Sequence, residues 1–351
     1  MNGERKAAIV ATLAGLATAW VAFDILVFLY GESPRHLFAL LFDGTWGTPY
    51  GAGQVLFKAT PLLFTGIAVD LALRAGLFNI GAEGQLAVGS LAAGIVGATL
   101  PAWLPAPVAV PATLLAAAAA GGAWALVPAI LRARFRAHEV ISTIMMNRIA
   151  DAAIGLVLGL GFALKGTVRT QNIVAGAHVP RLERFFPALR GSAVSVSLVV
   201  GVILALFVGW SYRRTRFGRE VSLVGMNPIA CAAERVPVRA RIAQAMILSG
   251  AICGLVSSAT VLGYKGYFEQ GLGAGAGFGG LAVALLGRGN GVGLVLAALL
   301  FGTLQQGGLA INAYVPMELM DVIQGVVITA VALADARVRG ALVRSARGAF
   351  G

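Results

Sequence analysis

The chain has 351 residues, 58% of them hydrophobic and only 12% charged, with a formal net charge of +12. That balance reads as an integral membrane protein. Its basic residues fall in short clusters between apolar runs, so the charge is a topology signal and a nucleic-acid partner is excluded.

Several apolar windows reach the length of about 20 residues that a helix needs to cross hydrocarbon, while the alternating ten-residue segments of a transmembrane barrel are missing. The expected fold is therefore all-α, a polytopic helical bundle forming a single membrane-embedded domain over 1–351. About ten spans are expected, at roughly residues 7–30, 52–73, 85–100, 107–131, 146–164, 192–212, 241–262, 276–287, 291–310 and 318–336. The first follows Arg5 and Lys6 like a signal peptide but runs on through Trp20, Phe23 and Tyr30 without a small-residue cleavage site, so an uncleaved helix is expected. Asp24, Lys58 and Asp70 are charges within these spans, and Lys58 could pair with either acid.

Between the second and third spans the chain reads Arg74-Ala-Gly-Leu-Phe-Asn-Ile-Gly-Ala-Glu-Gly-Gln85. A carboxylate in or near a bilayer costs several kcal/mol unless it is paired, hydrated or facing a cavity, so Glu83 marks a functional region. Two readings stay open: Glu83 lines a polar path together with Asn79 and Gln85, or it caps a broken helix or pairs with Arg74. Gly76, Gly81 and Gly84 are expected to permit backbone kinks and close helix packing. Glu139 and Asn147 either line the mouth of a path or terminate a helix.

The connection over 213–240 is the longest on its side and too regular for a linker. Asn227 is a favoured N-cap and Pro228 suits the first helical turn, so a short exposed helix is expected there, closed by Pro237. Cys231 and Cys253 stand 22 residues apart with no metal-ligand pattern and read as packing residues. Tyr264, Tyr267 and Phe268, near the end of the seventh span, either stack a ring or form an interfacial belt; of these, Phe268 is a path candidate. Gly84-Gln85-Leu86-Ala87-Val88 and Gly279-Gly280-Leu281-Ala282-Val283 match loosely, each at the start of a span after a glycine-rich approach. If that is a repeat, the chain divides into inverted halves of five spans, about 1–190 and 191–340, whose broken helices meet near mid-membrane. Gly277, Gly279 and Gly280 are then helix-break residues like Gly76, Gly81 and Gly84.

Placing the N-terminus in the cytoplasm puts nineteen of the 27 Lys and Arg residues on that side, including Arg148 and a basic tail over 337–351. Both termini are then cytoplasmic. No GxxxxGK[ST] loop, HExxH or nucleophile elbow occurs, and the only histidines are His36, His138 and His178, so neither nucleotide hydrolysis nor other catalysis is indicated.

Four ordered blocks resemble the permease subunits of ATP-binding-cassette importers of the ribose and branched-chain amino acid type, most closely the nucleoside and simple-sugar branch. They are Gly76 to Gln85, His138 to Asn147, Thr215 to Val238 and Gly275 to Asn290. The resemblance implies a path for a polar solute, a nucleoside or simple sugar, in a bacterial plasma membrane, with no cofactor of its own. It also implies partners: two cytoplasmic ATPases, a periplasmic or lipid-anchored binding protein, and a second, different permease. The coupling contact to the ATPase would involve Arg216, Gly218, Arg219, Gly225, Asn227, Pro228 and Arg235. Arg235 stands where relatives often carry glycine, which puts the geometry of that helix in question. An ion-coupled secondary transporter is the alternative class.

Overall fold

A computed structural model of the chain describes residues 15–330, apart from 16, 19, 288 and 317. Helix is the regular element throughout these residues, accompanied by three isolated β-bridges, Ala163 with Thr170, Arg169 with Glu269 and Arg181 with Ser195. In chain order the helices are α1 Trp20–Leu29, α2 Pro34–Gly44, α3 Pro49–Arg74, α4 Ala82–Thr99, α5 Ala106–Phe135 and α6 Glu139–Val157, which continues as a wide turn to Phe162. There follow α7 Ser197–Arg214, α8 Arg216–Met226, α9 Pro228–Ala233, α10 Val238–Gly254, α11 Ser257–Thr260, α12 Ala276–Gly287, α13 Gly291–Ile311 and α14 over 318–330.

Two compact units divide the chain, residues 52–302 and the two ends, 1–51 with 303–351. Within the end unit, Trp46 Nε1 donates to Thr303 Oγ1 at 3.1 Å and the rings of His36 and Tyr314 meet edge to face. Here α1 and α2 form a bent pair at 116°. The beginning of the expected first span, the end of the last and the basic tail lie outside the described residues.

In the larger unit the most buried elements are α3 and the run from α10 to Lys265, each with 78% of its most apolar window buried, against 17% for α6. A helix wrapped on all sides needs apolar residues all round, and both sequences show that. Small residues let α4, α5 and α10 approach closely. A side chain at Gly254 would strike the Ala117 carbonyl, and one at Gly121 the Gly250 carbonyl. Gly250 and Gly254 thus form a small-xxx-small face against α5, the packing mode that suits helices in lipid.

Among the described residues, six helices are long and apolar enough to cross a membrane, or seven if the bent pair is one span. Two of the ten expected spans change character. Helix α4 falls short because Glu83, Gln85 and its glycines dilute its hydropathy, and α12 has only 12 residues. Helix α6 starts at Glu139, several residues before the expected span, so Arg148 lies well inside it instead of at its end. Finally, the segment 163–196 is more ordered than a loop. Its backbone runs along the end of α11 and α4, with Thr170 N donating to Phe268 O, Val174 N to Gly97 O and Val179 N to Leu262 O.

Candidate functional site

The polar block at 74–85 breaks one helix and starts another. Ala75, Gly76 and Leu77 turn their amides back onto Ala72 and Leu73, closing α3, and Gly76 takes a φ of 72° that a side chain would resist. Gly76 also touches Gly225 of α8, while a side chain at Gly225 would strike the Arg74 carbonyl, so α8 seats directly on the end of α3. After the break, Asn79 and Gln85 pair through their amides. Asn79 Nδ2 donates to Gln85 Oε1 at 2.8 Å and to Ser249 Oγ at 2.8 Å, and Gln85 Nε2 returns a bond to Asn79 Oδ1 at 3.1 Å. Both residues are buried, and Ser249 in turn donates to the Ala68 carbonyl. The pair therefore holds the break in place against α3 and α10.

Glu83 lies in the first turn of α4 and points to the start of α12. Its Oε1 accepts from Gly275 N at 2.7 Å and its Oε2 from Gly277 N at 2.8 Å. A helix start leaves amides without intrahelical partners, and a carboxylate is the strongest acceptor they can find. Gly277 has no room for a side chain, which would strike the Glu83 backbone, while Gly279 faces Leu62 and Gly280 faces Thr65 on α3. Thr65 Oγ1 donates to the Ala276 carbonyl at 2.7 Å, fixing α12 from its other side. Of the two open readings of Glu83, capping is the contact seen; Arg74 instead donates to Gly289 O at 2.9 Å.

Asn147 on α6 completes the junction. Its Oδ1 accepts from Gly84 N and its Nδ2 donates to Ile80 O, so one side chain serves both sides of the α4 start. Gly81 packs against Thr143 on the same helix. Glu139 at the start of α6 pairs with Arg132 at 3.3 Å.

Beside the junction is a cavity of about 160 Å³, bordered by Glu83, Asn147, Arg148, Asp151, Phe268, Gln270 and Phe278 among others. Glu83 and Phe268 thus share one wall, while Asn79 and Gln85 lie behind it. Phe268 is 1% exposed, held by a mutual bond pair with Thr170, whose N donates to Phe268 O and whose Oγ1 accepts from Phe268 N.

At the arginine-rich end of the unit, α8 and α9 carry the remaining residues singled out by sequence. Thr215 caps α8 by accepting from Gly218 N, and Asn227 caps α9 by accepting from Ala230 N at 3.0 Å, with Pro228 in its first turn. Gly218 faces inward against Ser211 and Tyr212. Arg216, Arg219, Asn227, Pro228 and Arg235 are exposed, and so are Met226 and Ile229. Arg235 has a φ of 58° and closes α9, with Val236 N donating to Cys231 O. That left-handed position explains why glycine suits it.

Other polar contacts join residues far apart in the sequence, except the i,i+4 pair of Arg216 with Glu220. Tyr212 donates to Asp70 at 2.9 Å under the Arg74 guanidinium, joining α7 to α3. The pairing of Lys58 with Asp70 does not form, since twelve residues of helix separate them by about 18 Å. Glu220 accepts from Arg216 and from Arg241, each at 2.6 Å, and the bonds from Arg216 and then Arg241 hold its carboxyl below the usual carboxylate range.

Residues 51–332 match the family described as the permease component of the branched-chain amino acid transport system. The guanosine ABC transporter permease protein NupP of Bacillus subtilis is 36% identical over 329 residues, 92% of this chain and 92% of that one. The glucose ABC transporter permease protein TsgB13 of Haloferax volcanii is 33% identical over 329 residues, 91% of this chain and 85% of its own. The nucleoside ABC transporter permease protein NupB of Lactococcus lactis is 26% identical over 339 residues, 95% and 93% of the two chains. No solved structure matches the chain significantly.

Proposed function

The chain belongs to the family of branched-chain amino acid transport permease components, and on that premise we propose that it forms the membrane path of an ATP-binding-cassette importer for a nucleoside or simple sugar. As a permease component it is a multi-pass membrane transport protein and not an enzyme. The solute class rests on relatives whose names specify guanosine, glucose and nucleosides.

The observation that carries the path is the junction in which one carboxylate, Glu83, gathers the start of α12 to the start of α4 beside a cavity that sets a few polar side chains in a mainly apolar lining. Helix ends that meet inside a membrane unit present backbone groups to a polar solute, and such broken helices mark transport sites. The same meeting supports an inverted repeat of five and five spans, because the two matching pentapeptides start the two helices that Glu83 joins. Ten spans in all put both termini on one side, and the excess of Lys and Arg there, with segment 213–240 and the 337–351 tail, makes that side the cytoplasm in this reading. In this reading Glu83, Asn79 and Gln85 shape the path and Phe268 backs its wall.

The α8–α9 knob then meets a cytoplasmic ATPase. Its exposed face combines the charges of Arg216, Arg219 and Arg235 with the apolar Met226 and Ile229 around the Asn227-Pro228 turn, while Gly218 and Gly225 anchor it to α7 and α3. ATP is consumed by the two ATPase subunits, and this chain takes no cofactor. A binding protein delivers the solute from outside, and a second, different permease completes the membrane core of the bacterial plasma membrane. Charge reversal at Arg219 and Arg235 together is expected to reduce copurification of the cognate ATPase while leaving the permease pair assembled. Unchanged recovery of the ATPase contradicts the docking assignment.

A further inference from the structure

Arg148 and Asp151 stand in the middle of a candidate membrane span. With α6 starting at Glu139 and its continuation ending at Phe162, Arg148 lies about 14 Å and Asp151 about 18 Å along an element about 36 Å long. Both side chains are open, 83% and 62% exposed, and their ion pair is loose at 3.9 Å. Charges at such depth are costly against lipid and turn to a bundle interior or to water. Little of α6 is covered by the described residues, so they do not supply that interior.

What does lie beside the pair is the cavity at the junction, which both residues border. Besides Gln270, the other two polar side chains of its lining are already engaged. Glu83 holds the amides of Gly275 and Gly277, and Asn147 bridges Gly84 and Ile80. Asp151 and Arg148, sharing one long contact, retain most of their hydrogen-bonding capacity. Phe278, 54% exposed, adds an apolar ring to the same lining.

We propose that Arg148 and Asp151 are the side chains of this permease that meet the solute in a water-filled path. The Asp151 carboxylate accepts hydrogen bonds from the hydroxyls of a neutral polyhydroxylated solute. The Arg148 guanidinium donates to its carbonyl or ring oxygens, and Phe278 offers a face to its ring. The inference rests on the importer reading and names the groups that contact the cargo.

The test uses the whole importer, reconstituted in proteoliposomes with its second permease, ATPases and binding protein. Asp151→Cys and Arg148→Cys are each exposed to a membrane-impermeant, charged methanethiosulfonate; the native Cys231 and Cys253 are buried, so the unsubstituted importer gives the background. Both new thiols are expected to react roughly tenfold faster than that background, and excess guanosine to slow the reaction about threefold, as for side chains in water shared with the cargo. Reaction no faster than background, in an assembled importer whose unsubstituted form transports guanosine, overturns the proposal. The pair then faces lipid or a helix of the second permease. Asp151→Asn is expected to lower the maximal rate of guanosine uptake roughly tenfold, the loss of about one charge-assisted bond, and that of 2′,3′-dideoxyguanosine far less. Equal losses for the two solutes overturn the hydroxyl assignment. If the unsubstituted importer moves none of guanosine, uridine or glucose on ATP, the importer reading itself falls and takes the proposal with it.

Discussion

The Glu83 carboxylate does at the residue scale what no apolar side chain could, satisfying amides of the Gly275–Gly277 turn at the point where two helices begin. Charge-assisted bonds of this kind contribute about 1.5–3 kcal/mol each. Glu83→Ala, which loses both bonds, is therefore expected to lower the unfolding free energy of the purified permease by about 3–6 kcal/mol, and Glu83→Gln by less, because an amide keeps one acceptor. Chemical unfolding in detergent measures it, and an alanine variant as stable as the parent contradicts the capping role. Arg235 poses a backbone question. A non-glycine residue in the left-handed region costs about 1–2 kcal/mol, more when β-branched. Protection of the Val236 amide, bonded to Cys231 O at 2.9 Å, should persist in Arg235→Gly and fall in Arg235→Val. Equal protection in the two variants contradicts a left-handed closure of α9.

Helices α8 and α9 show at the element scale how far local chemistry can be read. Asn227-Pro228 announces its own helix, since N-cap and first-turn proline act within four residues. Helix α8 is not announced by any apolar run, because it is a short amphipathic element whose inner face is completed by Gly218, Glu220 and Gly225 packing on other helices. The start of α6 is a similar case. An apolar window centres a span on its greasiest part, whereas the helix begins where Glu139 enters its first turn, and the difference carries Arg148 from the edge to the middle. Glu220 ties α8 to α10 through Arg241, and its carboxyl sits below its ordinary value of 4.5 because Arg216 and Arg241 bond to it. A depressed folded value means that this tie contributes in full above the ordinary value and is lost as pH falls through the lowered one. Hydrogen exchange over 216–226, corrected for intrinsic rates, should stay constant from neutral pH down to the ordinary carboxylate range and accelerate only below it. In Glu220→Gln it should be fast throughout. Acceleration in the parent between pH 7 and 6 contradicts the tie.

At the scale of the whole molecule, composition specifies a membrane bundle and four ordered blocks specify the family, because both signals are written along the chain. The junction is not written that way. Glu83 and Gly275 are separated by 192 residues, and nothing in the periodicity of either segment points to the other. The loose pentapeptide match gave the only hint that α4 and α12 correspond, and it says nothing of which side chain joins them. The amide pairing of Asn79 with Gln85 and the bridge from Asn147 were equally hidden, since amides read as path-lining groups until their partners are known. The central claim is that this chain is the permease of an ATP-driven importer, and uptake by reconstituted vesicles tests it most directly. Proteoliposomes holding this permease, its partner permease and the ATPases, supplied with binding protein outside and ATP inside, are predicted to accumulate labelled guanosine or glucose only when ATP is hydrolysed. Accumulation that persists without the ATPases, driven by an ion gradient alone, would contradict it.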